Sequence, residues 1–239
     1  EHFVLIRLAN LFGSPNVVAI QDVCHAPREV SGMHTCGFYP VVDFHHQSRL
    51  MLLWGSNPTS TNEEGQICSL MLDQIKHGTD IIVVDPRKTE LAAKAKYWLQ
   101  IRPGTDHALA LAFLNVIISE NLYDNEFVRK WTYGFDEMAV HVKAYTPEKM
   151  AEITWIAPEL IKQSARCYAR SQPASIAWGN TIEQNTATFD TVRALTSLMA
   201  ICGNLDVPGG NIDASEPRIL SLGKFVRADL IPNKRKEMI

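Results

Sequence analysis

A chain of 239 residues, 46% hydrophobic and 21% charged, is long enough to bury a large core and has the composition of a globular protein. A formal net charge of −3 excludes the basic field of a nucleic-acid binder, and no apolar run approaches the roughly 20 residues that cross a bilayer. Five widely spaced cysteines, an odd number, argue against a disulfide framework or a cysteine-rich metal cluster within the chain.

In chain order, "EHFVLIRLANLFG" predicts an amphipathic helix running into a loop, without the basic start and small-residue cleavage site of a signal peptide. Residues 1–20 read as the tail of a preceding domain. "DVCHAPREVSGMH" (22–34) then places His25 directly after Cys24. With no Cys-x-x-Cys spacing around it, the pair is either a buried thiol with its neighbour or a reactive centre. His34, Cys36, His45 and His46 fit no standard zinc spacing.

"LMLLW" (50–54) and "IIVVD" (81–85) are solidly apolar runs of the length expected for strands buried on both faces, as in a parallel sheet. Between them Thr61 and Glu64 have capping-box spacing, Ile67, Leu70, Met71 and Ile75 mark one helix face, and Gly78 can end that helix. "KYWLQI" (96–101) predicts a third strand, and "TDHALALAFLNVIISEN" a helix apolar enough to be largely buried. Residues 122–157 read as short helices and turns. A helix opening at Pro158 precedes a fourth strand, "PASIAW" (173–178), and a last helix runs from about 188 to 202. Cys68, Cys167 and Cys202 fall on helix faces and read as core. The stretch 214–239 loses periodicity and reads as a connection toward a further domain. Strands alternating with helices give an α/β class, doubly wound, with a mostly parallel sheet and helices on both faces.

Each predicted strand runs into a loop rich in Gly, Pro, Asn or Asp: "WGSNPTSTN" (54–62), "DPRKTE" (85–90), "RPGTD" (102–106) and "WGNTIEQN" (178–185). Loops at the carboxyl ends of parallel strands are where ligands bind in such sheets. Glycines let backbone N–H groups approach phosphate. Asp85 and Asp106 offer acceptors to a purine amino group or ribose, and Arg87 a cation to pyrophosphate. Trp54 and Trp178 end strands and pack or flank a base. Neither a P-loop nor a G-x-G-x-x-G follows any strand.

The ordered series "CHAPREVSGMH", "LLWGSNP", "IIVVDPRKTE", "IRPGTDHALALAFLNVIISENLYDNEFV", "YTPEKMAEITWI", "SIAWGNTIEQ" and "TVRALTSLMAICGNLDVPGGN" resembles the molybdopterin oxidoreductase family. This is the DMSO reductase superfamily of bis-molybdopterin-guanine-dinucleotide (MGD) enzymes, and the series is most similar to formate dehydrogenase-like catalytic subunits. The resemblance implies that residues 21–213 are a Rossmann-like, MGD-binding third domain of a longer catalytic subunit. It implies two-electron chemistry on a small substrate, a bis-MGD cofactor with molybdenum or tungsten, a [4Fe–4S] centre in a preceding domain, and an iron–sulfur electron-transfer subunit as partner. It places Cys24 at the metal ligand and His25 at the residue that handles the proton; Arg28, close behind them in the chain, reads either as a substrate-channel cation or as a solvated helix residue. Gly55, Asn57, Asp85, Arg87, Gly104, Asp106, Gly179, Asn180 and Gln184 fall on its cofactor-contacting loops, with either Asp106 or Asp85 as the guanine-recognising acid. Two departures are visible. Formate dehydrogenases carry Gly after the Cys–His pair, where this chain has Ala26–Pro27–Arg28, and Arg218 lies near their formate-holding arginine in an unmatched context. The same superfamily includes a non-redox hydratase, and respiratory complex I carries a non-catalytic subunit of this fold.

Overall fold

The computed structural model describes residues 2–14, 16–17, 24–61, 65–213, 222–231 and 233. The chain divides into two compact units, one made of residues 1–23 and 215–239, the other of 24–214. In the first, helix α1 (His2–Phe12) is bound to a short helix at Leu222–Val226. Arg7 donates to the Phe225 carbonyl at 3.1 Å and Asn10 to that of Val226 at 2.7 Å.

The larger unit is organised by a four-stranded parallel sheet of β2 (Leu50–Trp54), β3 (Asp80–Val84), β4 (Tyr97–Leu99) and β5 (Ala174–Trp178), in the spatial order β4-β3-β2-β5. Every residue of β2 and β5 is buried, as continuous apolar runs require. Pleating then divides the side chains between two cores. Leu50, Leu52, Trp54, Ile82, Val84, Leu99 and Ile176 join one, and Met51, Leu53, Ile81, Val83 and Ala177 the other. Each large apolar side chain so buried contributes about 2 kcal/mol against solvent exposure.

The first core is completed by α6 (Asp106–Ser119), α10 (Pro158–Arg170) and α11 (Thr188–Ile201). The second is closed by Met71 of α4 (Gly65–Lys76) and by Leu91 and Ala92 of α5 (Glu90–Lys94). The segment predicted as one capped helix after β2 is instead a single turn, α3 (Pro58–Thr61), followed by α4, and Glu64 lies outside the described residues. Gly78, at φ +102°, ends α4 as expected. Residues 122–157 are short helices: α7 (Asn125–Trp131), α8 (Phe135–Val142) and α9 (Pro147–Thr154).

Two features have no counterpart in the sequence reading. Helix α2 (Ala26–Cys36) begins just after Cys24 and packs on α11. A two-stranded antiparallel pair joins β1 (Pro40–Val42) to β6 (Asn211–Asp213). No described helix is long and apolar enough to cross a membrane.

Candidate functional site

Chain order and strand order together locate the site. The chain builds β2, β3 and β4 outward in one direction and then returns to lay β5 on the opposite side of β2. The reversal leaves a crevice beyond the carboxyl ends of β2 and β5, the position where open α/β sheets bind ligands. Register places Trp54 opposite both Trp178 and Val84, so Gly55, Asp85 and Gly179 leave the sheet at one level.

Gly55 and Gly179 meet at the base of the crevice. Gly179 donates its N–H to the Trp54 carbonyl at 2.9 Å, and Gly55 donates to that of Val84 at 2.9 Å. A Cβ on Gly179 would lie 2.0 Å from the Gly55 carbonyl oxygen, and one on Gly55 would lie 1.8 Å from Thr181 Oγ1. Gly55 also has φ +59°, which favours glycine. Only residues without side chains let these strand ends come so close.

Cys24, half-buried, is brought to this crevice: Asn180 Nδ2 lies 3.4 Å from its Sγ. Asn180 opens the single 3₁₀ turn Asn180–Ile182 that follows β5. Arg28, in the first turn of α2, folds back over the Asn180–Ile182 turn. It donates from Nε to Glu183 Oε1 at 2.5 Å, to the Trp178 carbonyl at 3.0 Å and to Asn180 Oδ1 at 3.2 Å. Arg28 thus faces this turn. Its side chain is 12% exposed and its charge is spent on Glu183. Burial pushes the Glu183 carboxyl above its usual range despite the Arg28 guanidinium beside it; the second oxygen, Oε2, is buried without a partner.

His25 caps α2 and stands edge-on to Tyr39, with ring centroids 5.0 Å apart. Tyr39 in turn stacks on Trp178 at 6.3 Å, and the Arg28 guanidinium lies over the Tyr39 ring at 5.9 Å. His25, Tyr39, Trp178 and Arg28 thus form one packed wall beside Cys24. Tyr39, Thr181 and Glu183 escaped the sequence reading. Glu183 stands inside "WGNTIEQN", but nothing in that string distinguishes a buried acid from an exposed one.

The neighbouring loops carry the remaining candidates. Asp85 is 4% exposed and accepts the Arg87 backbone N–H at 2.7 Å, while the Arg87 side chain, 74% exposed, pairs with the same carboxylate at 3.6 Å. Asn57 Oδ1 accepts from the Thr59 hydroxyl at 3.0 Å and its carbonyl receives the N–H groups of Ser60 and Thr61. Gly104 is exposed at φ +80° in the turn before α6, and Gln184 is exposed. Asp106 is buried, and one oxygen accepts the Trp54 indole N–H at 2.8 Å. Burial raises its pKa above the usual carboxylate value, with the indole N–H pulling the other way. Trp54 is fully buried edge-on to Phe113, so its role is packing. Arg218 lies outside the described residues.

A soft cysteine sulfur at the mouth of a glycine-floored crevice, with a cation and buried carboxylates on adjoining strand ends, suits a metal carried on a phosphate-containing cofactor. Among the described residues no three His, Cys, Asp or Glu side chains gather as a metal cage.

Comparison with known proteins points the same way. The family model described as Molybdopterin oxidoreductase matches residues 1–238. Acetylene hydratase of Syntrophotalea acetylenica is 34% identical over 240 residues, covering 100% of this chain and 32% of that protein. Formate dehydrogenase H of Escherichia coli K12 is 34% identical over 217 residues, covering 89% of this chain and 30% of that protein. The solved structure of acetylene hydratase from Pelobacter acetylenicus aligns with a TM-score of 0.82 at 33% identity, over 100% of this chain and 32% of that one. The chain spans about a third of the length of these relatives.

Proposed function

The chain belongs to the molybdopterin oxidoreductase family, and from that premise we propose that it is the part of a catalytic subunit that grips one pterin-guanine dinucleotide and supplies the protein ligand to molybdenum or tungsten. In this reading the larger unit is a doubly wound, Rossmann-like domain, with residues 1–20 and 214–239 leading to other domains. The activity is two-electron redox chemistry on a small substrate, formate dehydrogenase-like, with electrons passing to an iron–sulfur centre and a partner subunit. The bound cofactor supplies a metal that exchanges two electrons with substrate.

The observation that carries the reading is the position of Cys24. Its sulfur lies against Asn180, at the strand-end crevice where β2 and β5 part. A thiolate there is a fitting soft ligand. His25, held against Tyr39 at the start of α2, takes or returns the substrate proton next to the metal. The backbone N–H groups around Asn57 and the exposed Arg87 hold phosphate; Gly55, Gly179 and Gly104 keep the approach open. Asp85 or Asp106 receives the guanine, and Asn180 and Gln184 line the entrance.

A second reading has its own support. The relative named acetylene hydratase matches the whole chain at 34% identity, and a hydratase adds water without net electron transfer. Metal analysis and pterin fluorescence of the full-length protein test the shared premise, and finding neither overturns it in favour of a non-catalytic relative of the same fold. Reduction of viologen dyes by substrate separates redox chemistry from hydration. The 239-residue piece alone is expected to be inactive and largely free of cofactor, since it builds only part of the cavity. Turnover by that piece would contradict this.

A further inference from the structure

Asn180 touches two groups of opposite character. Arg28 donates to its Oδ1 at 3.2 Å, and its Nδ2 lies 3.4 Å from Cys24 Sγ. The two ends of a carboxamide are usually told apart only by their surroundings, and here the surroundings decide. A guanidinium has donors and no acceptor, so the amide oxygen must face Arg28. The NH₂ is left to the sulfur.

Arg28 is itself fixed. Glu183, 3% exposed, holds Nε, and the Trp178 carbonyl holds a second nitrogen at 3.0 Å. A chain of contacts therefore runs from a buried carboxylate through a guanidinium to an amide and ends on the cysteine sulfur. Every link is a side chain at the start of α2 or in the segment that follows β5.

We infer that Asn180 is the hydrogen-bond donor that tunes the Cys24 sulfur as a metal ligand, with Arg28 and Glu183 as positioning residues that select the orientation of its amide. This deepens, and rests on, the reading of Cys24 as ligand. An N–H directed at a ligating sulfur withdraws electron density from it, weakens its donation and makes the metal easier to reduce.

The test uses the full-length protein and the variants Asn180→Leu, of similar volume without a donor, and Arg28→Lys, which keeps a cation for Glu183 without the planar fork. In the cofactor-loaded enzyme, spectroscopically monitored titration should show the metal's reduction equilibrium in Asn180→Leu displaced about tenfold toward the oxidised form, with a smaller displacement in Arg28→Lys. Metal bound at wild-type level with an unmoved equilibrium in both variants overturns the inference and leaves the ligand reading standing. In cofactor-free protein, the rate of iodoacetamide labelling of Cys24, read by mass spectrometry on its own peptide, should differ several-fold from wild type in Asn180→Leu, because the sulfur loses its N–H partner. Labelling as fast as wild type in both variants overturns the inference without reference to any metal. Absence of metal from the wild-type protein counts instead against the ligand reading, and the labelling result then decides the role of Asn180 alone.

Discussion

The two edges of the parallel sheet are built on different plans. At the amino-terminal edge, buried polar side chains are spent on one another and on backbone. Gln74 accepts from the Ser48 N–H and donates to the His46 carbonyl; Thr79 donates to the Ser48 carbonyl; Ser48 donates to that of Gly209. Beside this edge Asn211 lies along β5 like a further strand, accepting from Ile176 N–H at 2.8 Å and donating to its carbonyl at 3.0 Å. At the carboxyl edge the floor is bare backbone, the Arg87 side chain projects outward, and Glu183 keeps one oxygen buried and unpaired. An edge whose polar groups are mostly tied to backbone holds the fold together, and an edge of bare glycine backbone is where a ligand can be met.

Substitutions at the two edges should therefore separate activity from stability. The largest effect is expected at Cys24: Cys24→Ala abolishes turnover of the intact enzyme while far-ultraviolet circular dichroism and the urea midpoint stay near wild type. Wild-type turnover would remove Cys24 from the site. Next, Asn211→Ala strands two buried backbone groups of β5 and should cost about 2–4 kcal/mol of stability in urea unfolding. Its activity per folded molecule should be nearly unchanged, and a large loss there would blur the contrast between edges.

A third test uses pH. Asp43, 3% exposed, anchors the amino-terminal network. Burial works to raise its pKa, but hydrogen bonds from the Gly209 N–H, His46 and the His45 N–H outweigh it and hold the carboxyl below its usual value. A lowered folded pKa contributes stability that is present above the unfolded value of about 4 and is lost as pH falls through the folded value. Asp43→Asn should be less stable than wild type at pH 7, and the gap between their urea midpoints should narrow below about pH 4. A constant gap would mean that geometry rather than charge matters there. The smallest effect is expected far from both edges. The paired hydrogen bonds of 2.8 Å from Arg166 to Glu120 join α10 to α6 at the surface, and Arg166→Met should barely move the midpoint.

The sheet was legible because its strands are buried on both faces and so read as unbroken apolar runs. β2 and β5 have the predicted lengths to within a residue, while the predicted 96–101 strand shrinks to Tyr97–Leu99, because Gln100 is exposed and the chain turns at Pro103. The pair β1 and β6 was not legible. Each strand is three residues long, and their pairing joins positions some 170 apart in the chain. Helix α2 was hidden by its composition, with Pro27 at its start, Gly32 in its middle and only Ser31 and Gly32 buried. At the site, the cluster of loops was foreseeable from chain order, whereas the inward fold of Arg28 was not. A sequence records that an arginine exists, and only the approach of α2 to the turn after β5 reveals that Glu183 waits for it. Asp106 teaches the same lesson, since its indole partner at Trp54 comes from another strand end.

The crossing of residues 55 and 179 leaves evolution little room. A side chain at 179 would need the volume that the Gly55 carbonyl fills, and one at 55 the volume of the Thr181 hydroxyl, so a mutation at either one must be answered by a displaced or lengthened turn opposite. Descendants of a common ancestor should hold both positions fixed, or change them as a pair.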